Sequence, residues 1–376
     1  MAPKRIAILT NFIPSYRQGF YDRLFQEPGL AIDIYCQKIS EKEGFLGIQE
    51  RYGTHVKQVA YRGLSGNRLI WHRLPWRKLY RAYDYIITDG NPRHLAQALT
   101  ATALRLLGKP VIVWSVAYSR NNNAVLGRIR LTWWRLFKNF LLYTEGDKEN
   151  LHREGFTDRR IVAINNSLDQ RAINESAAHW TPERLTAFAA AHHCTERTLL
   201  LSTGRVVAGK YELMLDALER VKATVPRILW VLIGDGPARA RLEASAEQRG
   251  LGNHVHFVGA QYEEQQLAPW FLLARAYVHP ASIGLSLLHA FGYGLPVITM
   301  DNTPYQGPEF YVFADGVNGL LYEDQNADDL ADKIVQLLQS PPPTLLSRAA
   351  IRAIPELHYN TDVMAARFKQ MISIAV

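Results

Sequence analysis

Short runs of apolar residues alternate with longer amphipathic stretches along the chain. In the first part, these runs predict strands at Arg5–Leu9, Ile32–Cys36, Tyr85–Thr88, Pro110–Ser115 and Phe140–Tyr143. A second series predicts strands at Leu199–Ser202, Ile228–Ile233, Val255–Val258, Ala276–Val278 and Pro296–Thr299. The runs lack strict alternation of apolar and polar residues, which is typical of parallel strands buried on both faces.

Longer stretches with helical spacing, such as Arg93–Leu107 and Leu213–Thr224, lie between these strands. Repeated strand–helix–strand units predict right-handed crossovers and an α/β fold with doubly wound sheets. The length of 376 residues suggests two or three domains. Because the two series are separated near residues 170–195, we expect two Rossmann-like domains, at 1–172 and 173–358. Ligands of such sheets bind at the carboxyl ends of the strands, so we expect a central cleft between the domains.

The charge is divided unevenly along the chain. Of 43 lysines and arginines and 35 acidic residues, residues 1–180 hold 27 and 15, a net charge of +12, and the remainder has a net charge of −4. This division argues against a uniformly basic nucleic-acid coat and predicts an anionic partner for the first half. Apolar residues at 48% exclude disorder, and two cysteines fit a reducing compartment. With no predicted targeting or spanning segment, we expect a cytoplasmic protein.

Two stretches interleave basic and aromatic residues, at 68–81 and 128–138. They are either ordinary helices whose aromatic faces pack inward, or a contact with an anionic bilayer, where aromatic rings lie at headgroup depth. The predicted contacts with the inner face of the plasma membrane are Trp71, Arg73, Trp76, Arg77 and Lys78. Nucleic acid is not expected as a partner, because no recognised binding module accompanies these stretches.

Two segments of the second half have the chemistry of a diphosphate site. Gly204 opens a turn after a predicted strand, and Arg205 and Lys210 follow before a helix. An arginine fork and a lysine at the carboxyl edge of a parallel sheet would neutralise a diphosphate, although both could be ordinary solvated cations. In the other segment, a helix begins near Gly284, so the backbone N–H groups of Gly284, Leu285 and Ser286 could hold phosphate, with His289 one turn further on. A purely structural turn before a packed helix would have the same sequence pattern.

In their order and spacing, several segments resemble group 1, or family 4, nucleotide-sugar-dependent glycosyltransferases with the GT-B fold. These are Gly204-Arg205, Lys210, Gly234–Pro237, Phe257-Val258-Gly259, Gly292–Val297, Pro308-Glu309 and Asp315–Tyr322. The opening Thr10–Arg17 is similar to the acceptor-side start of polysaccharide-building members. The resemblance implies an acceptor-binding first domain, a nucleotide-sugar-binding second domain, and a helix at 359–376 that crosses back to the first.

The resemblance also implies roles for individual residues. Arg205 and Lys210 match the cationic pair that stabilises the leaving diphosphate, and are the predicted catalytic residues. The predicted donor-binding residues are Gly204, Gly259, Gly284, Leu285, Ser286, His289 and Glu309. The predicted acceptor-binding residues are Asn11, Tyr16, Arg17, Asn91 and Arg93, with Arg17 as an anion contact.

The chain departs from the family pattern at both glutamates of the E-x7-E motif. Ala281 stands at the first, which ordinarily touches the donor sugar, and His289 at the second, which ordinarily holds the ribose hydroxyls. Val116 stands where relatives often have a histidine that lines the sugar pocket. Because an imidazole cannot grip two hydroxyls as a carboxylate does, one hypothesis is a deoxythymidine-linked donor. The other is a weak or inactive enzyme.

The function expected from this resemblance is retaining transfer of a sugar from a nucleotide-sugar donor to a lipid-linked or cell-surface polysaccharide acceptor at the cytoplasmic membrane face. No metal and no cofactor are expected, since no Asp-x-Asp triplet is found and members of this family rely on electrostatic stabilisation. The alternatives are a catalytically degenerate relative that acts as a binding or assembly subunit and a tandem Rossmann epimerase. The epimerase is disfavoured because its catalytic residues have no clear counterparts.

Overall fold

The computed structural model describes residues 2–37, 48–64, 69–117 and 124–375. It consists of two compact units. Unit 1 comprises Met1–Leu168 together with Asn360–Val376, and unit 2 comprises Asp169–Tyr359. The division after Leu168 lies slightly before the 172/173 boundary expected from the sequence. Each unit has its own apolar core.

The secondary structure alternates strands and helices. The strands are β1 (Lys4–Leu9), β2 (Leu30–Gln37), β3 (Val56–Val59), β4 (Tyr61–Leu64), β5 (Leu69–His72), β6 (Tyr85–Asp89), β7 (Val111–Ser115), β8 (Asn139–Leu142), β9 (Arg160–Ala163), β10 (Thr198–Thr203), β11 (Ile228–Ile233), β12 (Val255–Gly259), β13 (Ala276–His279), β14 (Val297–Met300) and β15 (Gly319–Tyr322). The helices are α1 (Gln18–Phe25), α2 (Trp76–Ala82), α3 (Leu95–Leu106), α4 (Ala124–Trp134), α5 (Glu145–Arg153), α6 (Gln170–Ala178), α7 (Pro182–Ala191), α8 (Glu212–Thr224), α9 (Arg239–Gln248), α10 (Glu264–Leu273), α11 (Leu285–Gly292), α12 (Ala327–Gln339), α13 (Arg348–His358) and α14 (Thr361–Ile374).

Both large sheets are parallel, as the continuous apolar runs predict. In unit 1 the strand order is β3-β2-β1-β6-β7-β8-β9, and in unit 2 it is β12-β11-β10-β13-β14-β15. All ten strands predicted from the sequence are confirmed, with bounds that differ by no more than two residues. The strands missed in the large sheets are β3, β9 and β15, each four residues long and each at a sheet edge.

The interpretation of residues 68–81 as part of an ordinary helix is wrong over its first half. Residues 69–72 form β5, which pairs with β4 in an antiparallel hairpin, and α2 begins only at Trp76. Pro75 precedes the helix and, lacking an amide hydrogen, cannot donate to the hairpin ladder. Arg68 lies outside the described residues.

Each large sheet reverses its direction of growth once. In unit 1 the reversal lies between β1 and β6, which pair with each other, and in unit 2 between β10 and β13. At such a switch point the loops that follow the two strands diverge and leave a crevice. The loops after β1 and β6 carry Asn11–Arg17 and Asn91–Arg93. Those after β10 and β13 carry Gly204–Lys210 and Gly284.

The helix α14 belongs to unit 1 although all of unit 2 precedes it in the chain. Phe368 is buried, with its ring centroid 6.0 Å from that of Phe20 on α1 and 6.4 Å from that of Trp114 on β7. The Ser167 hydroxyl donates to the Met364 sulfur over 3.1 Å. This helix closes one face of the first sheet. Within the described residues, no helix is both long enough and apolar enough to cross a bilayer.

Candidate functional site

The loop after β10 presents two cations at the carboxyl edge of the second sheet. Arg205 is exposed, and the Lys210 ammonium lies 3.5 Å from the Arg205 carbonyl oxygen and 4.8 Å from the centroid of the Tyr211 ring. Within the described ranges, no carboxylate lies at ion-pair distance from Lys210. Burial lowers the pKa of Lys210 to about 8. The ammonium is therefore held without a negative partner, in a position where an anion would stabilise its charge.

Glycines bring this loop against the loop that follows β11. The Gly204 amide donates to the Ile233 carbonyl, and the Val206 amide to the Asp235 carbonyl, both over 2.9 Å. A Cβ atom on Gly234 would lie 1.9 Å from the Gly204 carbonyl oxygen, and one on Gly236 would lie 2.2 Å from that of Val206. The motif Gly234–Pro237 thus fixes the course of the cation-bearing loop by close backbone contact.

Gly259 supports the same arrangement from β12. Its carbonyl accepts a 2.8 Å hydrogen bond from the Gly234 amide, and its own φ of +93° favours glycine. A Cβ atom there would approach an Arg239 nitrogen to 3.1 Å. The structure therefore gives Gly259 a backbone role beside the glycine loops.

The loop after β13 leads into α11 beside the cation-bearing loop. Gly284 is the residue before the helix and supplies no side chain to cap it, so the N-cap position makes no side-chain hydrogen bond to the first N–H groups of α11. The Tyr277 hydroxyl connects the two loops. It hydrogen bonds the Thr203 amide over 3.1 Å and the Thr203 hydroxyl over 2.9 Å, and it also bonds the Ser286 side chain. The loops that carry Lys210 and the start of α11 are thereby connected, and we call their residues the Lys210 site (Gly204, Arg205, Lys210, Gly284–Ser286).

Glu309 lies beside this site. It is in a short 3-10 helix, Pro308–Val312, and is only 5% exposed. Its Oε2 atom would lie 3.5 Å from a Cβ on Gly284 and 2.9 Å from one on Gly307. The absence of side chains at these two glycines makes room for the carboxylate next to the start of α11.

The His289 ring is engaged by a residue that sequence reasoning missed. Its Nε2 atom lies 2.9 Å from Oε1 of Glu264, which also accepts a 2.6 Å hydrogen bond from the Tyr293 hydroxyl. Phe271 covers the ring, with centroids 4.4 Å apart. Burial raises the pKa of Glu264, but the charge and hydrogen bonds of His289 and Tyr293 outweigh it, so the net shift is downward. A carboxylate from α10 thus contacts His289, the residue that stands at the second glutamate position of the motif.

In unit 1, a pocket of about 1220 Å³ opens at the switch point between β1 and β6. We call it the Arg17 pocket. All five predicted acceptor-binding residues line it: Asn11, Tyr16, Arg17, Asn91 and Arg93. Arg17 is only 6% exposed, and its guanidinium carbon lies 4.6 Å from the Trp114 ring centroid and 5.1 Å from that of Tyr143.

Asp89 lines the Arg17 pocket, and His94 contacts two of the lining residues. The Asp89 carboxylate accepts a 3.0 Å hydrogen bond from the Asn91 amide, and burial raises its pKa to about 6. The His94 Nε2 atom lies 3.0 Å from the Asn11 side-chain nitrogen and 3.8 Å from an Asp89 oxygen. Burial, with His72 and Arg93, lowers the pKa of His94 to about 4, so its ring is neutral at pH 7.

The five predicted membrane-contact residues are all at the surface of unit 1. Trp71 and Trp76 are 44% and 52% exposed, and Arg73, Arg77 and Lys78 are exposed beside them. The second basic–aromatic stretch behaves differently, since Trp134 and Phe137 are fully buried. Its aromatic side chains therefore pack inward, as in an ordinary helix.

Several residues of these sites carried no usable signal in the sequence. Glu264 and Tyr277 lie on other elements than the motif residues they contact, so no spacing rule connects them. The same holds for Trp114 and Arg130 in the Arg17 pocket. Asp89 directly follows the predicted strand Tyr85–Thr88, and a carboxylate at that position could have been taken as a candidate.

Comparison with known proteins gives a consistent result. Residues 185–354 match the family model for glycosyl transferases group 1. A lipopolysaccharide core biosynthesis glycosyltransferase, LpsE, of Rhizobium meliloti (strain 1021) is 28% identical over 144 residues, 37% of this chain and 39% of the relative. A poly(ribitol-phosphate) alpha-N-acetylglucosaminyltransferase of Staphylococcus aureus (strain COL) is 26% identical over 149 residues, 40% of this chain and 30% of the relative. The matched segments thus span well under half the length of these two relatives.

The fold comparison covers nearly the whole chain. Anabaena HepE, solved in complex with UDP, superposes with a TM-score of 0.72 over 98% of this chain and 99% of that one, at 14% sequence identity. At this identity the likeness establishes the fold. Residues 185–354, slightly less than half of the chain, are thus similar to the glycosyl transferases group 1 family, and the fold of the chain is GT-B, with two Rossmann-like units.

Proposed function

We propose that the chain is a retaining, metal-independent glycosyltransferase. In this proposal it moves a sugar from a nucleotide-sugar donor, bound on unit 2, to a lipid-linked or cell-surface polysaccharide acceptor, bound on unit 1, at the cytoplasmic face of the membrane. The observation that carries the proposal is the Lys210 site. An ammonium with no carboxylate partner among the described residues and an exposed guanidinium follow β10, the start of α11 follows β13, and these two strands flank the switch point of the second sheet.

Such a site suits a diphosphate leaving group. As the bond between the anomeric carbon and the phosphate oxygen breaks, negative charge grows on the diphosphate. Arg205 and Lys210 stabilise that charge, and the N–H groups at the start of α11 add to it. The departing phosphate oxygen takes the proton of the attacking hydroxyl on the same face, which accounts for retention. The residues then act by positioning and electrostatics, and no second carboxylate is required.

The Glu264 carboxylate favours a ribonucleotide donor over a deoxythymidine-linked one. Its Oε1 atom is occupied by His289 and Tyr293, which orient the group, and no hydrogen bond to its Oε2 atom is found among the described residues. A carboxylate can accept hydrogen bonds from ribose hydroxyls, which the imidazole alone cannot do as well. Solved structures of Anabaena HepE contain UDP and UDP-glucose, which makes uridine nucleotides the first donors to test.

The acceptor side and the membrane contact are supported by unit 1. The Arg17 pocket lies at the switch point of the first sheet and gathers the predicted acceptor-binding residues. The exposed pair Trp71 and Trp76, with Arg73, Arg77 and Lys78, offers both aromatic and cationic contacts to an anionic bilayer. The polysaccharide or lipid acceptor is in keeping with the relatives named above.

The test of the proposed function is donor turnover by the Arg205→Ala variant. We expect turnover of UDP-sugars to fall by at least about a hundredfold, as on loss of one preorganised donor to a developing anion, with an unchanged unfolding temperature. Arg241→Ala is the matched control, since Arg241 is an exposed arginine on α9 of the same unit. Unchanged turnover in Arg205→Ala would overturn the assignment of the Lys210 site.

One observation favours a second candidate, a degenerate relative that binds nucleotide sugars without transferring them. Ala281 brings no carboxylate to the loop after β13, where the resemblance expects contact with the donor sugar. The two candidates differ in one measurement. Nucleotide binding without hydrolysis or transfer, across UDP-, GDP- and deoxythymidine-linked sugars, would favour the binding subunit.

A further inference from the structure

The Arg17 side chain is buried among aromatic rings, an unusual environment for an arginine with a purely structural role. Its guanidinium lies among the rings of Tyr16, Trp114 and Tyr143, and it hydrogen bonds the two tyrosine side chains. Within the described part of unit 1, no carboxylate lies at ion-pair distance from it. A nine-tenths-buried cation without a bound counter-ion is costly, and an anion that entered the pocket would remove that cost.

The charges that line the pocket favour an anion with more than one negative charge. Among the described residues, the charged groups that line it are Arg17, Arg93, Arg130 and a single carboxylate, Asp89. His94, which contacts the lining residue Asn11, is neutral at pH 7 because burial lowers its pKa to about 4. With Asp89 ionised, the lining retains two positive charges. A phosphomonoester carries about −1.5 to −2 at this pH and matches that charge, whereas a carboxylate leaves part of it unbalanced.

One wall of the same pocket is apolar and open to solvent. It is formed by Leu126 and Ile129 of α4, which are 60% and 53% exposed, and by Leu69 of β5. On this part of α4 the usual arrangement is inverted: apolar side chains are exposed, whereas the charged Arg130 is only 8% exposed. Exposed apolar side chains beside a buried cation are typical of a surface that binds an amphipathic ligand.

We propose that the Arg17 pocket binds a lipid phosphate, with the phosphate on Arg17 and the hydrocarbon chain along Leu69, Leu126 and Ile129. The role of this ligand as the acceptor rests on the proposed function and names its class, a sugar acceptor linked to lipid through phosphate. Its binding does not rest on that function, because every residue of the pocket belongs to unit 1 and none to the Lys210 site.

The experiment measures equilibrium binding of three probes to the full chain: farnesyl monophosphate below its micelle concentration, inorganic phosphate and farnesol. Trp114 lines the pocket and provides a fluorescence signal, and calorimetry gives an independent affinity. We expect farnesyl monophosphate to bind at least about tenfold more tightly than either of the other probes, since only it engages both the cation and the apolar wall.

Two variants separate the contributions. Arg17→Gln is expected to weaken the binding of both farnesyl monophosphate and inorganic phosphate by about tenfold or more. Ile129→Ser replaces an exposed side chain outside the apolar core. It is expected to weaken only the binding of farnesyl monophosphate, by several-fold. Arg128→Gln is the matched control, because Arg128 is an exposed cation on α4 that does not line the pocket, and it is expected to change neither affinity.

Equal affinities for farnesol and farnesyl monophosphate would overturn the proposal. It would also be overturned if the Ile129→Ser and Arg93→Gln variants both bound farnesyl monophosphate as tightly as the unaltered chain does. These two exposed substitutions keep the test decisive if Arg17→Gln fails to fold. UDP binding is titrated in the same samples. Lipid phosphate binding without UDP binding would support this inference and count against the proposed function, and the reverse result would do the opposite.

Discussion

Among single residues, Lys210 has the most direct electrostatic consequence. The sequence placed it correctly after a strand, from the order of Gly204, Arg205 and Lys210, because a glycine turn and nearby cations are local features. Its lowered pKa was not foreseeable, since the burial that causes it comes from Tyr211 and His279, which the fold packs around it. Glu264 was missed for the same reason, because its partners His289 and Tyr293 lie on another helix.

We expect the affinity for a nucleoside diphosphate to fall as the pH rises through about 8. Burial lowers the pKa of Lys210 to about 8, so the ammonium is charged at pH 7 and increasingly neutral above 8. The anion binds the charged form, and affinity should drop by up to about tenfold per pH unit above the pKa. Titration of UDP by calorimetry between about pH 7 and about pH 9 measures this. Lys210→Arg is the control and should give a flat profile, since arginine keeps its charge throughout.

We expect Glu264→Gln to weaken UDP binding by about tenfold, because a charged hydrogen bond to a ribose hydroxyl is lost. Binding of 2′-deoxy-UDP should change much less. Glu263→Gln is the control, since Glu263 is exposed and adjacent. An equal loss for both nucleotides would indicate that Glu264 does not contact the 2′-hydroxyl.

At the scale of elements, the apolar runs were sufficient for the central strands and insufficient for the sheet edges. Strands such as β7 and β11 are buried along their whole length and read as continuous apolar segments. β3 contains Lys57 and Gln58 and is only half-buried, so it lacks that pattern. The position of the candidate sites followed from the alternation of strands and helices, because switch points arise from sheet order. The packing of the loop after β10 on the loop after β11 could not be predicted from that alternation.

The contact between those two loops gives a prediction for Gly234. In Gly234→Ala, the new Cβ would lie 1.9 Å from the Gly204 carbonyl oxygen, so the cation-bearing loop must shift. We expect a loss of about 1–3 kcal/mol in stability and a weaker affinity for UDP. Gly250→Ala is the control, because its φ of +64° is strained in the same way but nothing lies within 4 Å of the new atom. It should cost about 1 kcal/mol and leave UDP affinity unchanged, as measured by denaturant unfolding and calorimetry.

At the scale of the whole molecule, the uneven charge corresponds to the division into units. The basic part of the chain forms most of unit 1, with the Arg17 pocket and the exposed basic–aromatic surface, whereas the Lys210 site lies on the other unit. The sequence foresaw two Rossmann-like domains because each is built from local strand–helix repeats. The inverted polarity of α4 could not be foreseen, because a run such as Ile129-Arg130 does not reveal which side chain is buried.

The returning helix α14 gives a prediction at this scale. Phe368 is fully buried against Phe20 and Trp114, and Phe368→Ala should lower the stability of unit 1 by about 3–5 kcal/mol. Denaturant unfolding should show this loss, while the affinity of unit 2 for UDP at low denaturant is kept. Lys369→Ala is the control, since its exposed ion pair with Glu27 contributes about 1 kcal/mol or less. A parallel loss of UDP affinity would show that the two units are not independent.

The position of α14 in the chain also has a consequence for synthesis. Unit 2 is continuous, from Asp169 to Tyr359, whereas unit 1 is made of two segments on either side of it. On the ribosome, the first sheet emerges first but keeps an open apolar face, with Phe20 and Trp114, until residues 361–374 have been made. The later unit can therefore complete its core before the earlier one. During the interval before α14 is made, we expect the incomplete unit 1 to be the part of the chain most prone to aggregation and to chaperone binding.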